Sequence, residues 1–161
     1  MIMVFTTSKI ICRLGGPSSW LLLGLLLLAS CTKDEVPKLP TTPEIALISI
    51  SSDTIVQYED VLNLRIGYKD GNGDIGFENP EEYALYVRDI RLENFDGFYV
   101  GPLAPPEANV PIQGELNIEF PSLFLFGNGD EELTKFQIKL FDRAGNESNL
   151  LETDFVTILR N

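Results

Sequence analysis

The chain has 161 residues, 24 acidic and 12 basic, and it contains no histidine. Without imidazole there is no Ser-His or Cys-His nucleophile system and no histidine-ligated zinc. The acidic excess repels other polyanions, which excludes nucleic acid as a partner.

In chain order, the first feature is residues 21–29, LLLGLLLLA, the densest apolar run. Lys9 and Arg13 precede it, with no acidic residue before it. A basic segment, a short apolar core and a small-residue site make a secretory signal, and the run falls short of the roughly 20 apolar residues that span a bilayer. Cleavage before Cys31 leaves 24 acidic against 10 basic residues, a net charge of −14. Cys12 departs with the leader, so Cys31 has no partner for a disulfide and the remaining domain must be held by its core alone.

The leader ends Leu28-Ala29-Ser30-Cys31. This resembles the lipobox of bacterial lipoproteins. The resemblance implies a diacylglycerol thioether on Cys31, cleavage before it, and acylation of the new N-terminus by a chain such as palmitate. Two or more acyl chains anchor stably where one is marginal. The following Lys33, Asp34 and Glu35 resemble the export signal of Bacteroidetes-type surface lipoproteins, which implies the outer membrane with the domain facing the cell surface. The alternative for these charges is a solvated tether. Pro37, Pro40 and Pro43 then favour an extended spacer. The expected organisation is a signal peptide over 1–30, a lipidated cysteine and disordered proline-rich tether over 31–43, and one domain over 44–161.

Beyond Pro43 the apolar period is two. Strands are expected at 45–51, 54–58, 61–69, 83–92, 95–100, 114–120, 135–141 and 153–159. In 61–69, Leu62, Leu64, Ile66 and Tyr68 share one face. In 135–141, Phe136, Ile138 and Leu140 do so. Parity breaks at Asp89, where a β-bulge would return Ile90 and Leu92 to the apolar face. Glycine-, asparagine- and aspartate-rich turns separate the runs. The pattern predicts an all-β fold: a single immunoglobulin-like antiparallel β-sandwich of seven or eight strands. The segments Tyr68-Lys69-Asp70-Gly71-Asn72-Gly73-Asp74-Ile75-Gly76 and Phe141-Asp142-Arg143-Ala144-Gly145-Asn146-Glu147-Ser148 resemble small Bacteroidetes lipoproteins with one such domain, a resemblance that implies fold and location more than activity.

Asp70, Asn72 and Asp74 sit two apart, as do the first ligands of calcium loops. Glu81 falls at the twelfth position, but Ile75 stands where an EF-hand needs glycine, and a strand precedes the loop instead of a helix. In the expected topology the loops after 61–69 and 135–141 share one end of the sandwich. Asp142 and Asn146 then approach Asp70, Asn72 and Asp74, and the five would share one Ca²⁺. The competing explanation is turn chemistry, which favours the same residue types.

Two weaker patterns are Asp53-Thr54-Ile55, similar to a bacterial O-glycosylation site, and the sequon Asn146-Glu147-Ser148. Tyr86, Phe98 and Tyr99, with Tyr83 and Phe95 nearby, are candidates for a glycan-stacking platform, or else core residues. A glycosidase carboxylate pair would need a deep cleft that a small sandwich lacks. The expected function is a non-catalytic binding, adhesion or assembly domain on an outer-membrane lipid anchor. The alternatives are a glycan-binding accessory of an uptake system and a periplasm-facing structural lipoprotein.

Overall fold

The computed structural model describes residues 39–161; the leader, Cys31 and Lys33-Asp34-Glu35 lie outside the described residues. Ten strands form: β1 (Glu44–Ile50), β2 (Thr54–Val56), β3 (Leu62–Asp70), β4 (Leu85–Asp89), β5 (Asp96–Phe98), β6 (Ile112–Phe120), β7 (Glu131–Thr134), β8 (Phe136–Leu140), β9 (Leu151–Glu152) and β10 (Val156–Leu159). No helix occurs among the described residues, so the domain they form is all-β, as its period predicts.

One sheet has the order β1-β3-β6 and a second the order β5-β4-β8-β9; a third, β2-β10-β7, forms where β2 pairs in parallel with β10. The inward rows of the two larger sheets close on each other. Leu62, Leu64, Ile66 and Ile118 come from the first, and Leu85, Val87, Phe136, Ile138 and Leu140 from the second. The rings of Phe120 and Phe136 stack across the gap, 4.4 Å between centroids. The result is a β-sandwich whose core is the alternate residues of facing strands.

Three expectations are corrected. There is no bulge at Asp89: β4 ends there, the chain turns, and Leu92 is exposed. The buried Asp89 carboxylate instead receives Arg91 N–H at 2.9 Å and Arg91 Nε at 3.0 Å. The bulge lies in β1, between Leu47 and Ser49, and leaves Ile48 exposed. Second, β7 is a strand the apolar pattern does not reveal. Third, the tether ends early. Pro43 is buried and Pro40 accepts a 2.8 Å bond from Gly71 N–H, so residues 40–43 are bound to the domain.

Arg91 organises the end of the sandwich formed by Leu62, Phe120 and Asp89. It pairs with Asp89 at 2.6 Å and Glu132 at 2.8 Å, and its guanidinium lies 4.2 Å from the Phe126 centroid. Burial disfavours the Asp89 carboxylate, but hydrogen bonds from Arg91 and Thr134 and the Arg91 charge outweigh it and hold its pKa below the ordinary value. A lowered carboxyl pKa stabilises the fold above the unfolded value of about 3.9, and this stabilisation is lost as pH falls through the lower folded value. Arg91→Leu strands the buried Asp89 carboxylate, whereas Glu132 keeps the Phe126 and Gly127 N–H groups. The substitution should cost about 3 kcal/mol at neutral pH, a fall in Tm of roughly 10–15 °C, and should flatten the loss of stability below about pH 4; melting curves against pH measure both.

Candidate metal centre

At the opposite end, strand parity decides what is buried. β3 turns Leu62, Leu64 and Ile66 inward, and the same alternation carries on to Asp70, which has 0% exposure. β8 turns Phe136, Ile138 and Leu140 inward; two residues past its end, Asp142 is 1% exposed. Period two thus points one carboxylate from each sheet into the gap between them. Asp74, on the loop after β3, joins them, and one oxygen from each of the three lies within 4.8 Å of the others.

The two loops are fastened together. Ile75 and Asp142 form a β-bridge, and Arg143 N–H donates to the Asp74 carbonyl at 3.0 Å. The Arg143 guanidinium donates to the Gly76 carbonyl at 2.9 Å and the Gly73 carbonyl at 3.5 Å, so it neutralises no carboxylate directly. None of the three aspartates has an ion pair among the described residues.

The three carboxylates are held unequally. Asp70 Oδ2 accepts from Gly73 N–H at 2.7 Å and Asp74 N–H at 3.0 Å. Asp142 Oδ1 and Oδ2 accept from the N–H and side-chain amide of Asn146, both at 2.7 Å. Three buried oxygens have no partner: Asp70 Oδ1, Asn72 Oδ1 and Asp74 Oδ1. Burial, and then the charges of Asp142 and Asp70, push the Asp74 pKa up; its backbone hydrogen bond and Arg143 oppose this. An open cleft of about 410 Å³ leads from the cluster, bordered by Asn72, Asp74, Glu107, Asn109 and Arg143.

Of the five residues expected from the sequence, Asp70, Asp74 and Asp142 come together, Asn146 bonds to Asp142, and Asn72 borders the same cleft as Asp74. Asp70, Asn72, Asp74 and Asp142 present oxygens; Asn146 commits its side-chain amide to orienting Asp142. Glu81 is exposed and takes no part in the cluster. The aromatic candidates fare otherwise. In the antiparallel β4–β5 pair, Phe98 stands opposite buried Leu85, and Tyr86 stands opposite Gly97. Phe98 and Tyr86 thus project from opposite faces and cannot form one platform with Tyr99. Tyr86 is half-buried, edge-on to Phe141.

Sequence reading missed a different aromatic group. Tyr58, 66% exposed, stacks on Phe124, 40% exposed, with planes 9° apart; Phe126 meets Phe124 edge-on. Tyr58 has φ 63°, the one positive φ outside glycine among the described residues. The sequence signal is the aliphatic–aromatic alternation Leu123-Phe124-Leu125-Phe126, whose leucines are buried and whose phenylalanines are exposed.

No protein-family model matches the chain, and no curated protein or solved structure matches it. Among the described residues no helix is long and apolar enough to cross a membrane.

The loop after β3 depends on Gly76. Its φ is +88°, and a Cβ there would lie 2.2 Å from the Gly101 carbonyl oxygen. Gly145 has φ +85° but open space around it. Gly145→Ala should therefore cost only the backbone strain, about 1 kcal/mol, whereas Gly76→Ala adds a backbone collision and should cost at least about 3 kcal/mol. Paired urea denaturation curves separate the two.

Proposed function

We propose that this protein is a lipid-anchored, non-catalytic display module of the outer membrane, its domain facing the cell surface and serving binding, adhesion or assembly. One observation supports this best: the chain joins the sandwich at one end, and exposed aromatic rings gather at the other. Gly71, in the loop after β3, lies against the incoming chain so closely that a Cβ would sit 2.3 Å from the Leu39 carbonyl oxygen. Tyr58, Phe124 and Phe126 lie beyond Leu62 and Phe120, which pair at the far end of β3. β3 has nine residues, so roughly 30 Å separates the two ends.

On this reading Cys31 carries the lipid. Lys33, Asp34 and Glu35 direct export. The root of the domain faces the membrane and the aromatic tip faces away. Exposed rings at the tip of a soluble domain are the composition of a contact surface. Catalysis by the carboxylate cluster is disfavoured because Asp70 and Asp142 have almost no surface a substrate could reach. We also read the topology as immunoglobulin-like, with β3 and β8 as facing strands whose following loops share one end.

The anchor and the orientation are tested together. Mass spectrometry of the membrane-extracted protein should find residues 1–30 removed and Cys31 diacylated. Cys31→Ala should release the domain from membranes. Protease applied to intact cells should remove the domain; a protected domain would instead indicate the periplasm-facing alternative.

A further inference from the structure

We propose that the cluster at the root of the sandwich is a calcium site, with Asp70, Asn72, Asp74 and Asp142 as its protein ligands. Such a site is independent of the lipid anchor.

Three carboxylates held within 4.8 Å of one another repel, and two of them are buried. Close packing of turns alone does not account for this. Turn chemistry explains the bonded oxygens, Asp70 Oδ2 and both oxygens of Asp142. It leaves three buried oxygens with no donor, Asp70 Oδ1, Asn72 Oδ1 and Asp74 Oδ1, on the residues at positions one, three and five of the loop. Buried acceptors without donors are costly, and a bound cation would supply the missing partner.

The chemistry selects the ion. Every donor is oxygen, so soft-metal and imidazole chemistry is absent from the site. Calcium binds oxygens at 2.3–2.6 Å, so ligands on opposite sides of one ion stand about 5 Å apart, and the three carboxylates lie within that span. Magnesium would need a tighter octahedron at 2.0–2.1 Å. Three negative charges suit a divalent cation, and the adjoining cleft admits the waters that complete six to eight ligands. Asn146 is a positioning residue: its two bonds aim the Asp142 carboxylate.

The ion would join the two sheets through Asp70 and Asp142. It would also fix the loop that carries Gly71, whose N–H holds Pro40.

The test uses the full chain in detergent, stripped with a chelator and then given CaCl₂ or MgCl₂ alone. With the affinity usual for extracellular calcium modules, about 10 mM Ca²⁺ should raise Tm by roughly 8–10 °C and titrate calorimetrically as one site. Mg²⁺ should give less than half that rise. Amide exchange of Gly73, Asp74 and Asn146 should slow with Ca²⁺, while that of Phe126 and Gly127 stays unchanged. Asp74→Asn is the informative variant because Asp74 is partly exposed and the fold should survive. It should melt no lower than the parent in chelator, since it relieves repulsion, yet lose most of the Ca²⁺ increment. No heat and no shift in Tm, an equal response to Mg²⁺, or an undiminished increment in Asp74→Asn would each overturn the assignment.

Discussion

The alternation of β3 and β8 does not stop where their apolar residues stop. The inward row of each strand ends in a carboxylate, Asp70 on one sheet and Asp142 on the other, and both are buried. An ionised group taken out of water must find compensation from partners. Much of the architecture at this end is that compensation. Gly73 and Asp74 turn their N–H groups back onto Asp70, Asn146 grips Asp142, and the Ile75–Asp142 bridge ties the two loops.

The same physical problem is solved differently at the two ends. At the tip, buried Asp89 meets an arginine, a threonine hydroxyl and a backbone N–H, and Arg91 is shared with Glu132. That end is electrically closed by the chain itself. At the root Arg143 spends its guanidinium on two carbonyls, and three oxygens remain open. The difference matters because the incoming chain binds at the root. Gly71 cannot move without disturbing Pro40, so whatever fixes the loop after β3 also fixes the first residues of the domain.

Legibility in the sequence follows from how local each decision is. Leu62, Leu64 and Ile66 announce β3 because one residue in two is apolar, and extending that count by two steps reaches Asp70. The convergence of Asp70 with Asp142 was legible because it needs only parity and the shared end of two loops. The partition of roles was not: whether Asn146 ligates or orients depends on side-chain bonds within a turn. Asp89 looked like an interruption needing a bulge because the pattern counts polarity and overlooks an arginine two residues on. β7 reads EELT, too polar to register, since it is a short edge strand facing water. Tyr86 and Phe98 lie near each other in sequence, but their faces are set by the β4–β5 register, which no local pattern contains.

The contrast between the ends also weighs against reading the root as a structural cap. A sandwich that needed only to close its core could place apolar side chains at positions 70 and 142, continuing the rows of leucine and isoleucine behind them. Such replacements of buried charge are often neutral or stabilising. It could also place a cation among them, as Arg91 does at the tip. The root does neither. It gathers three like charges in a domain of net negative charge and leaves buried oxygens of Asp70 and Asp74 without a donor. It also opens a polar cleft beside them. Each choice is unfavourable for a core and favourable for a hard cation, so the arrangement is better understood as a site that the fold tolerates than as a cap that the fold requires.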